Sequence, residues 1–239
     1  MKIGFSTYMI YSKLPEGELI TYESFPENIR KSSSLRSILS RYVKSGKLSK
    51  LRSGVFYKPK TSEYFKSKLP PTENKIVKTF IKKNNGVLGG YYVFRTWGLT
   101  TQHEGEILIL TNHTVQDEIS GPQKIKYLKT NLPINNLTRS LVQILHVIQN
   151  IDQIFESKAD NSLKIIEERI TALNKRQKVK LISLAMKLPA RYRALTGAIL
   201  EKIDIDADKL YETLGKKSEY RFKTSFGEFI NTKKWKIKR

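Results

Sequence analysis

Residues 34–46 read SLRSILSRYVKSG, and their apolar side chains recur with one spacing. Leu35, Ile38, Leu39, Tyr42 and Val43 stand at i, i+3, i+4, i+7 and i+8, which puts them on one stripe of an α-helix. A strand alternates with period two and could not gather these five on a single face. The residues between them, Arg36, Ser37, Ser40, Arg41 and Lys44, collect on the opposite side. Ser33 or Ser34 is suited to cap the helix, because a hydroxyl accepts an orphan N–H of the first turn. Gly46 is suited to end it, because glycine takes the left-handed conformation without a Cβ clash. The spacing predicts a helix of about three turns with a greasy back and a basic, hydroxyl-rich front.

The helical spacing stops at Gly46. Residues 47–57, KLSKLRSGVFY, form two short strand-like runs meeting at Ser53 and Gly54. Gly54 supplies the positive φ of a tight hairpin, and Val55, Phe56 and Tyr57 prefer strand. Lys47, Lys50, Arg52 and Lys58 decorate the ribbon. Upstream, a first helix is expected over 3–14, a short extended piece over 19–22, and a second helix over 23–30 with Pro26 in its first turn. Three helices and a basic hairpin in this order make a winged helix-turn-helix domain, expected over residues 1–68.

The charge distribution agrees with this placement. The 239 residues carry 44 Lys plus Arg against 22 Asp plus Glu, a formal charge of +22. Residues 32–60 hold eight basic residues and no acid. Such a face suits a polyanion. Arg and Lys donate to phosphates, and Arg also makes bidentate contact with guanine in the major groove. Arg36, Ser37, Ser40 and Arg41 are the expected contacts to bases or nearby phosphates, with Ser34 at the helix start. Lys44, Lys47, Lys50, Arg52 and Lys58 are expected to hold the backbone. The competing reading of the same residues is a protein-binding winged domain whose basic face is merely solvated.

Residues 69–239 are expected to form a larger mixed α and β domain, giving an α+β chain overall. Residues 59–72 read as a connector. Thr72 is placed as the cap of a helix through residue 83, with Ile76, Val77, Phe80 and Ile81 buried, stopped at Asn84-Asn85-Gly86. Strands are expected over 106–111 and 123–130, where Lys124, Lys126 and Lys129 add basic surface. Beyond Pro133 the pattern turns helical: a helix capped by Asn136, another beginning at Ser162, a buried segment over 179–186, one starting at Pro189, and a last short helix capped by Asp206 and ending at Gly215. The tail from residue 216 sets Tyr220, Phe222, Phe226, Phe229 and Trp235 among lysines, as strand or docked coil. A further +7 is concentrated in residues 215–239.

Three segments resemble a known family. LRSILSRYVKSGKLSKLRSGVFYKPK resembles the winged-helix segment of AbiEi-like antitoxins, YYVFRTWGLTTQHEGEILILTN the start of their second domain, and LPARYRALTGAILE a further helical block. The resemblance implies an antitoxin of a type IV toxin–antitoxin, or abortive-infection, pair. Its N-terminal domain would bind operator DNA and repress the operon, and its C-terminal domain would support antitoxicity. The implied partner is a nucleotidyltransferase-like toxin encoded next door.

Enzyme chemistry finds little support. The chain has no cysteine, so disulfides and thiolate metal sites are excluded and a reducing compartment, the cytoplasm, is expected. Its three histidines, His103, His113 and His146, do not pair at metal-ligand spacing, and His146 lies in an apolar stretch where a satisfied core histidine is expected. Asp204 and Asp206 superficially resemble a magnesium-binding pair, yet read better as a helix end and cap. No cofactor, metal, signal peptide or membrane span is expected. The alternatives to an antitoxin repressor are a plasmid replication initiator, or a toxin- or RNA-binding module using the winged helix as scaffold.

Overall fold

A computed structural model describes residues 8, 11–62, 67–102, 105–120, 123–154 and 159–239. It is an α+β protein. The chain folds as two compact units, residues 1–84 with 118–124, and residues 85–117 with 125–239; sequence spacing places the boundary earlier, between 68 and 69.

In the first unit, residues 11–13 are helical, and the rest of the helix expected over 3–14 lies almost wholly outside the described residues. Strand β1 (Leu19–Thr21) pairs antiparallel with β3 (Val55–Tyr57), Ile20 opposite Phe56, and β3 pairs with β2 (Ser49–Arg52) to give the order β1-β3-β2. The expected second helix is shorter than 23–30: α1 is Glu27–Arg30, with Pro26 as its N-cap. Phe25 is extended (φ −106°, ψ 147°) because the proline ring crowds the helical conformation of the residue before it. Glu23 and Ser24 therefore sit in a 3₁₀ turn, Tyr22–Ser24.

Helix α2 is Ser33–Lys44. Its cap is Ser32, one residue before the expected serines: the Ser32 hydroxyl accepts from the Ser34 N–H at 3.2 Å. Leu35, Ile38 and Leu39 are buried, and Tyr42 and Val43 are half-buried. Gly46, at φ 72°, closes the helix, and Gly54, at φ 73°, turns the hairpin between β2 and β3. Ile20, Phe25, Ile29, Leu35, Leu39, Leu48 and Phe56 form one closed core. The connector contains a second, smaller hairpin, β4 (Lys60–Thr61) antiparallel to β5 (Lys68–Leu69). Helix α3 (Glu73–Lys83) then buries Ile76, Val77 and Phe80, and Asn85 at φ 45° ends it.

The second unit begins with β6 (Val87–Gly89), which runs into α4 (Gly90–Thr96). The aromatic patch is this helix: Phe94 is buried, and Tyr91, Tyr92 and Trp97 are partly covered. Strand β7 (Glu106–Thr111) pairs antiparallel with β6, Leu88 opposite Ile109. Strand β9 (Gln123–Lys129) lies next to β7 in the sheet, and β8 (Glu118–Ser120) falls within the first unit.

Helix α5 (Arg139–Gln149) has Thr138 as its N-cap and starts two residues later than an Asn136 cap would place it. The Asn135 carboxamide oxygen accepts from the Leu137 and Thr138 N–H groups, at 3.0 and 3.1 Å. That side-chain turn supplies acceptors for two N–H groups ahead of the first helical turn. Helix α6 (Ala159–Thr171) begins before Ser162, which is buried within it. Helix α7 (Lys175–Ala185) corrects the expected buried segment over 179–186: Leu181, Leu184 and Ala185 are buried, whereas Val179 is 63% exposed and Met186 37%. Its apolar residues lie on two faces, one buried and a second on which Ile182 packs partly against the core while Val179 and Met186 are exposed.

Helix α8 (Ala190–Lys202), with Pro189 at its N-cap, is buried from Ala194 to Leu200. Asp206 accepts from the Asp208 N–H at 3.0 Å at the start of α9 (Asp208–Glu212), which ends short of Gly215 with Ala207 as formal N-cap. The tail docks: β10 (Tyr220–Arg221) runs parallel to β11 (Ile237–Lys238), and Phe222, Phe226, Ile230, Trp235 and Ile237 join the core. No helix among the described residues is long and apolar enough to cross a membrane.

Candidate nucleic-acid interface

The front of α2 is built by the helix period and presented by the closed core behind it. Ser34, Arg36, Ser37, Ser40, Arg41 and Lys44 lie on this face, and all of them are exposed. The first turn of α2 contains no acid, and its last turn carries Arg41 and Lys44, where cations complement the helix dipole. The nearest carboxylate before it, Glu27, is paired with Lys31 at 2.6 Å. Lys47 and Lys50 are both exposed, and the Lys47 ammonium lies 5.5 Å from the centre of the Tyr42 ring.

Two of the expected backbone contacts are placed elsewhere. Arg52 is half-buried, with its guanidinium 4.7 Å from the centre of the Phe80 ring on α3 and its Nε and Nη2 atoms shielded from solvent. Lys58 donates to the Leu14 carbonyl at 3.2 Å and lies 5.1 Å from the Tyr11 ring centre. Both cations tie the wing to neighbouring elements and are withdrawn from the face that α2, Lys47 and Lys50 present. A cation over an aromatic ring gains most when it is desolvated, which holds these side chains inward.

One basic element is not legible in the sequence. Lys68, in a stretch that reads as linker, donates to the Gly46 carbonyl at 3.0 Å and so fixes the β4–β5 hairpin against the end of α2. Lys60 on the same hairpin is exposed. Strands of two residues leave no usable periodicity, so the only signal is the pair of lysines, Lys60 and Lys68, in a stretch that otherwise reads as connector.

The other basic regions differ in character. Lys124 and Lys129 are exposed, but Lys126 is half-buried and pairs with Glu106. In the tail, Lys234 pairs with Glu201, Lys238 with Glu219 at 2.5 Å, and Lys236 donates to the Gly215 carbonyl at 2.7 Å. Those lysines serve the docking of the tail, while Lys216, Lys217 and Lys223 stay exposed.

His146 is a core acceptor. Its Nε2 accepts from the Gly90 N–H at 3.0 Å, its ring stacks on Phe94, and burial pushes its pKa down to about 4. Asp204 ends α8 at φ 54° and Asp206 serves as a turn acceptor before α9. His103 lies outside the described residues. Among the described residues, no group of three or more His, Cys, Asp or Glu could hold a metal ion.

Residues 9–182, which include α2, both hairpins and the sheet, match a family described as a family of unknown function, DUF6088. The chain belongs to the DUF6088 family. No curated protein matches it. Its fold is similar to the crystal structure of the RV2827C protein from Mycobacterium tuberculosis, with a TM-score of 0.53 at 9% identity, covering 98% of this chain and 90% of that one. The α+β architecture of this DUF6088 chain is therefore shared almost end to end by a protein of very different sequence, and the likeness extends to fold alone.

Proposed function

We propose that the protein is a cytoplasmic transcriptional repressor that binds operator duplex through the front of α2, and that it is the antitoxin of a type IV abortive-infection pair. One observation carries the duplex reading: α2 presents three cations and three serines on one face, backed by a closed core, in a 29-residue stretch without an acid. Serine hydroxyls and the helix N-terminus suit phosphates, the arginines suit guanine edges, and Lys47 and Lys50 continue the face along the wing. The antitoxin assignment rests on the family resemblance of the winged-helix, second-domain and helical-block segments.

Retardation of the protein's own promoter fragment tests the duplex reading. Arg36, Arg41, Lys44, Lys47 and Lys50 are five cations, so the log–log salt dependence should have a slope of about −4 to −5. A flat salt response, or undiminished retardation by the Arg36→Ala/Arg41→Ala protein, removes the assignment. Expression of the neighbouring reading frame alone tests antitoxicity: no growth defect removes the toxin–antitoxin pairing and leaves the repressor standing.

A further inference from the structure

Residues 169–200 contain eight basic side chains and no acid. Three are engaged locally: Arg169 lies over the Trp97 ring, Arg191 pairs with Asp152, and Arg193 donates to the Leu188 and Thr213 carbonyls. The other five, Lys175, Arg176, Lys178, Lys180 and Lys187, stand on α7 or just beyond it. Among the described residues none of these five has an ion-pair partner.

Between these cations α7 carries its second apolar stripe. At about 100° per residue, Val179, Ile182 and Met186 point roughly 140° away from the buried stripe of Leu181, Leu184 and Ala185. They border a cavity of about 520 Å³ with Ile205, and Lys175, Lys178 and Lys209 line it too. A lone exposed valine needs no explanation. Three aligned apolar side chains beside a cavity of this size, flanked by lysines, form a shaped surface with a definite complement.

The complement can be narrowed by charge. A phosphate backbone has no use for the apolar side chains of Val179, Ile182, Met186 and Ile205, while Lys175, Lys178 and Lys209 outnumber Asp204 and Asp206 around the cavity and leave it net basic. A second copy of this chain carries the same +22 and is repelled as a whole. An acidic segment bearing aliphatic side chains satisfies both halves of the surface.

We propose that this face of α7 docks an acidic, aliphatic segment of a partner protein. The partner's aliphatic side chains enter between Val179, Ile182, Met186 and Ile205, and its carboxylates meet Lys175, Lys178 and Lys209. Apolar anchors supply the affinity, and the lysines supply orientation and encounter rate. The proposal is independent of the duplex reading, because it concerns the second unit and none of the α2 residues.

The test uses the full chain and a labelled amphipathic peptide built of Glu and Leu, followed by fluorescence anisotropy. Saturable binding is expected, weakened about tenfold in Val179→Gln/Met186→Gln, which removes apolar surface at constant charge, and similarly in Lys175→Gln/Lys178→Gln. Both pairs are exposed or half-exposed positions on a helix surface, and Gln is a good helix former, so unchanged thermal melts establish that they fold. Promoter retardation by Val179→Gln/Met186→Gln should equal wild type, which keeps this outcome separate from that of the duplex reading. Three results overturn the proposal: equal binding of a leucine-free Glu peptide, equal binding by Val179→Gln/Met186→Gln, or displacement of the Glu-Leu peptide by single-stranded RNA or duplex DNA in the Arg36→Ala/Arg41→Ala background.

Discussion

The Gly90 N–H donates to Nε2 of His146 at 3.0 Å, joining the first turn of α4 to the middle of α5. Accepting there requires Nε2 to be unprotonated, so the neutral ring carries its proton on Nδ1. Gly89 makes the approach possible, since a Cβ on it would stand 2.8 Å from the same nitrogen.

The bond sets a pH dependence. His146 is held at a pKa of about 4 by burial, against an ordinary value of 6.5. Between those values the unfolded chain binds a proton that the folded chain does not, so stability falls as the pH is lowered through this window and levels off below it. The full loss is about 3 kcal/mol. Urea unfolding at a series of pH values should show this slope in the wild type and its disappearance in His146→Leu. That variant should also start about 1–3 kcal/mol lower, because the Gly90 N–H loses its acceptor. Identical slopes in both proteins would contradict the assignment.

Gly197 makes the tail's docking site. A Cβ at this position of α8 would lie 2.1 Å from the Trp235 ring, which is fully buried and held by its Nε1–H donating to Glu201 at 3.2 Å. Gly197→Ala is therefore expected to destabilise by about 1–3 kcal/mol despite alanine's better helix propensity. Denaturant unfolding followed by tryptophan fluorescence reads this directly, and a neutral or stabilising result would show that the ring can move.

Asp152 holds two groups of the tail's docking site, the Arg191 guanidinium and the Thr224 N–H. It pairs with Arg191 and accepts from the Thr224 N–H at 3.1 Å, while the Arg191 guanidinium lies 4.1 Å from the Phe222 ring centre. Asp152→Ala leaves the part-buried guanidinium and one backbone donor without their acceptor, a cost of about 2–4 kcal/mol. Limited proteolysis should show earlier cleavage after residue 216 in the variant. An unchanged digestion pattern would mean that the apolar contacts alone secure the tail.

Among the wing cations, geometry separates stability from binding. Arg36→Ala and Arg41→Ala should each cost about 1–3 kcal/mol in promoter affinity if they read bases, and Lys44→Ala should reduce the salt slope by about 1. Arg52→Ala and Lys58→Ala should lower the melting temperature and leave the salt slope unchanged, because these two side chains contact Phe80, Tyr11 and the Leu14 carbonyl. A slope change in Arg52→Ala without loss of stability would return it to the interface.

Much of the local structure is legible in residue spacing. The stripe of Leu35, Ile38 and Leu39, the glycines at 46 and 54, and the stop at Asn85 each act within one turn of chain, and the structure places them as the spacing predicts. The helix starts near 26, 32 and 138 shift by one to four residues, because each depends on which side chain reaches a free N–H first. The cations of α7 escape for a simpler reason. Averaged over residues 71–214, they are offset by acids, and only the fold shows which of those acids, Asp204 and Asp206, come beside them.

The order of residues by itself determined that a two-faced basic helix runs into a hairpin, because period and turn chemistry are properties of adjacent positions. Tertiary structure alone decided which cations become tethers. Arg52 meets a ring 28 positions away, Lys58 a carbonyl 44 positions away, and Lys68 the end of α2. A lysine or arginine becomes a tether or a binding group according to what the folded chain brings within about 5 Å of it, and charge carries no record of that in sequence.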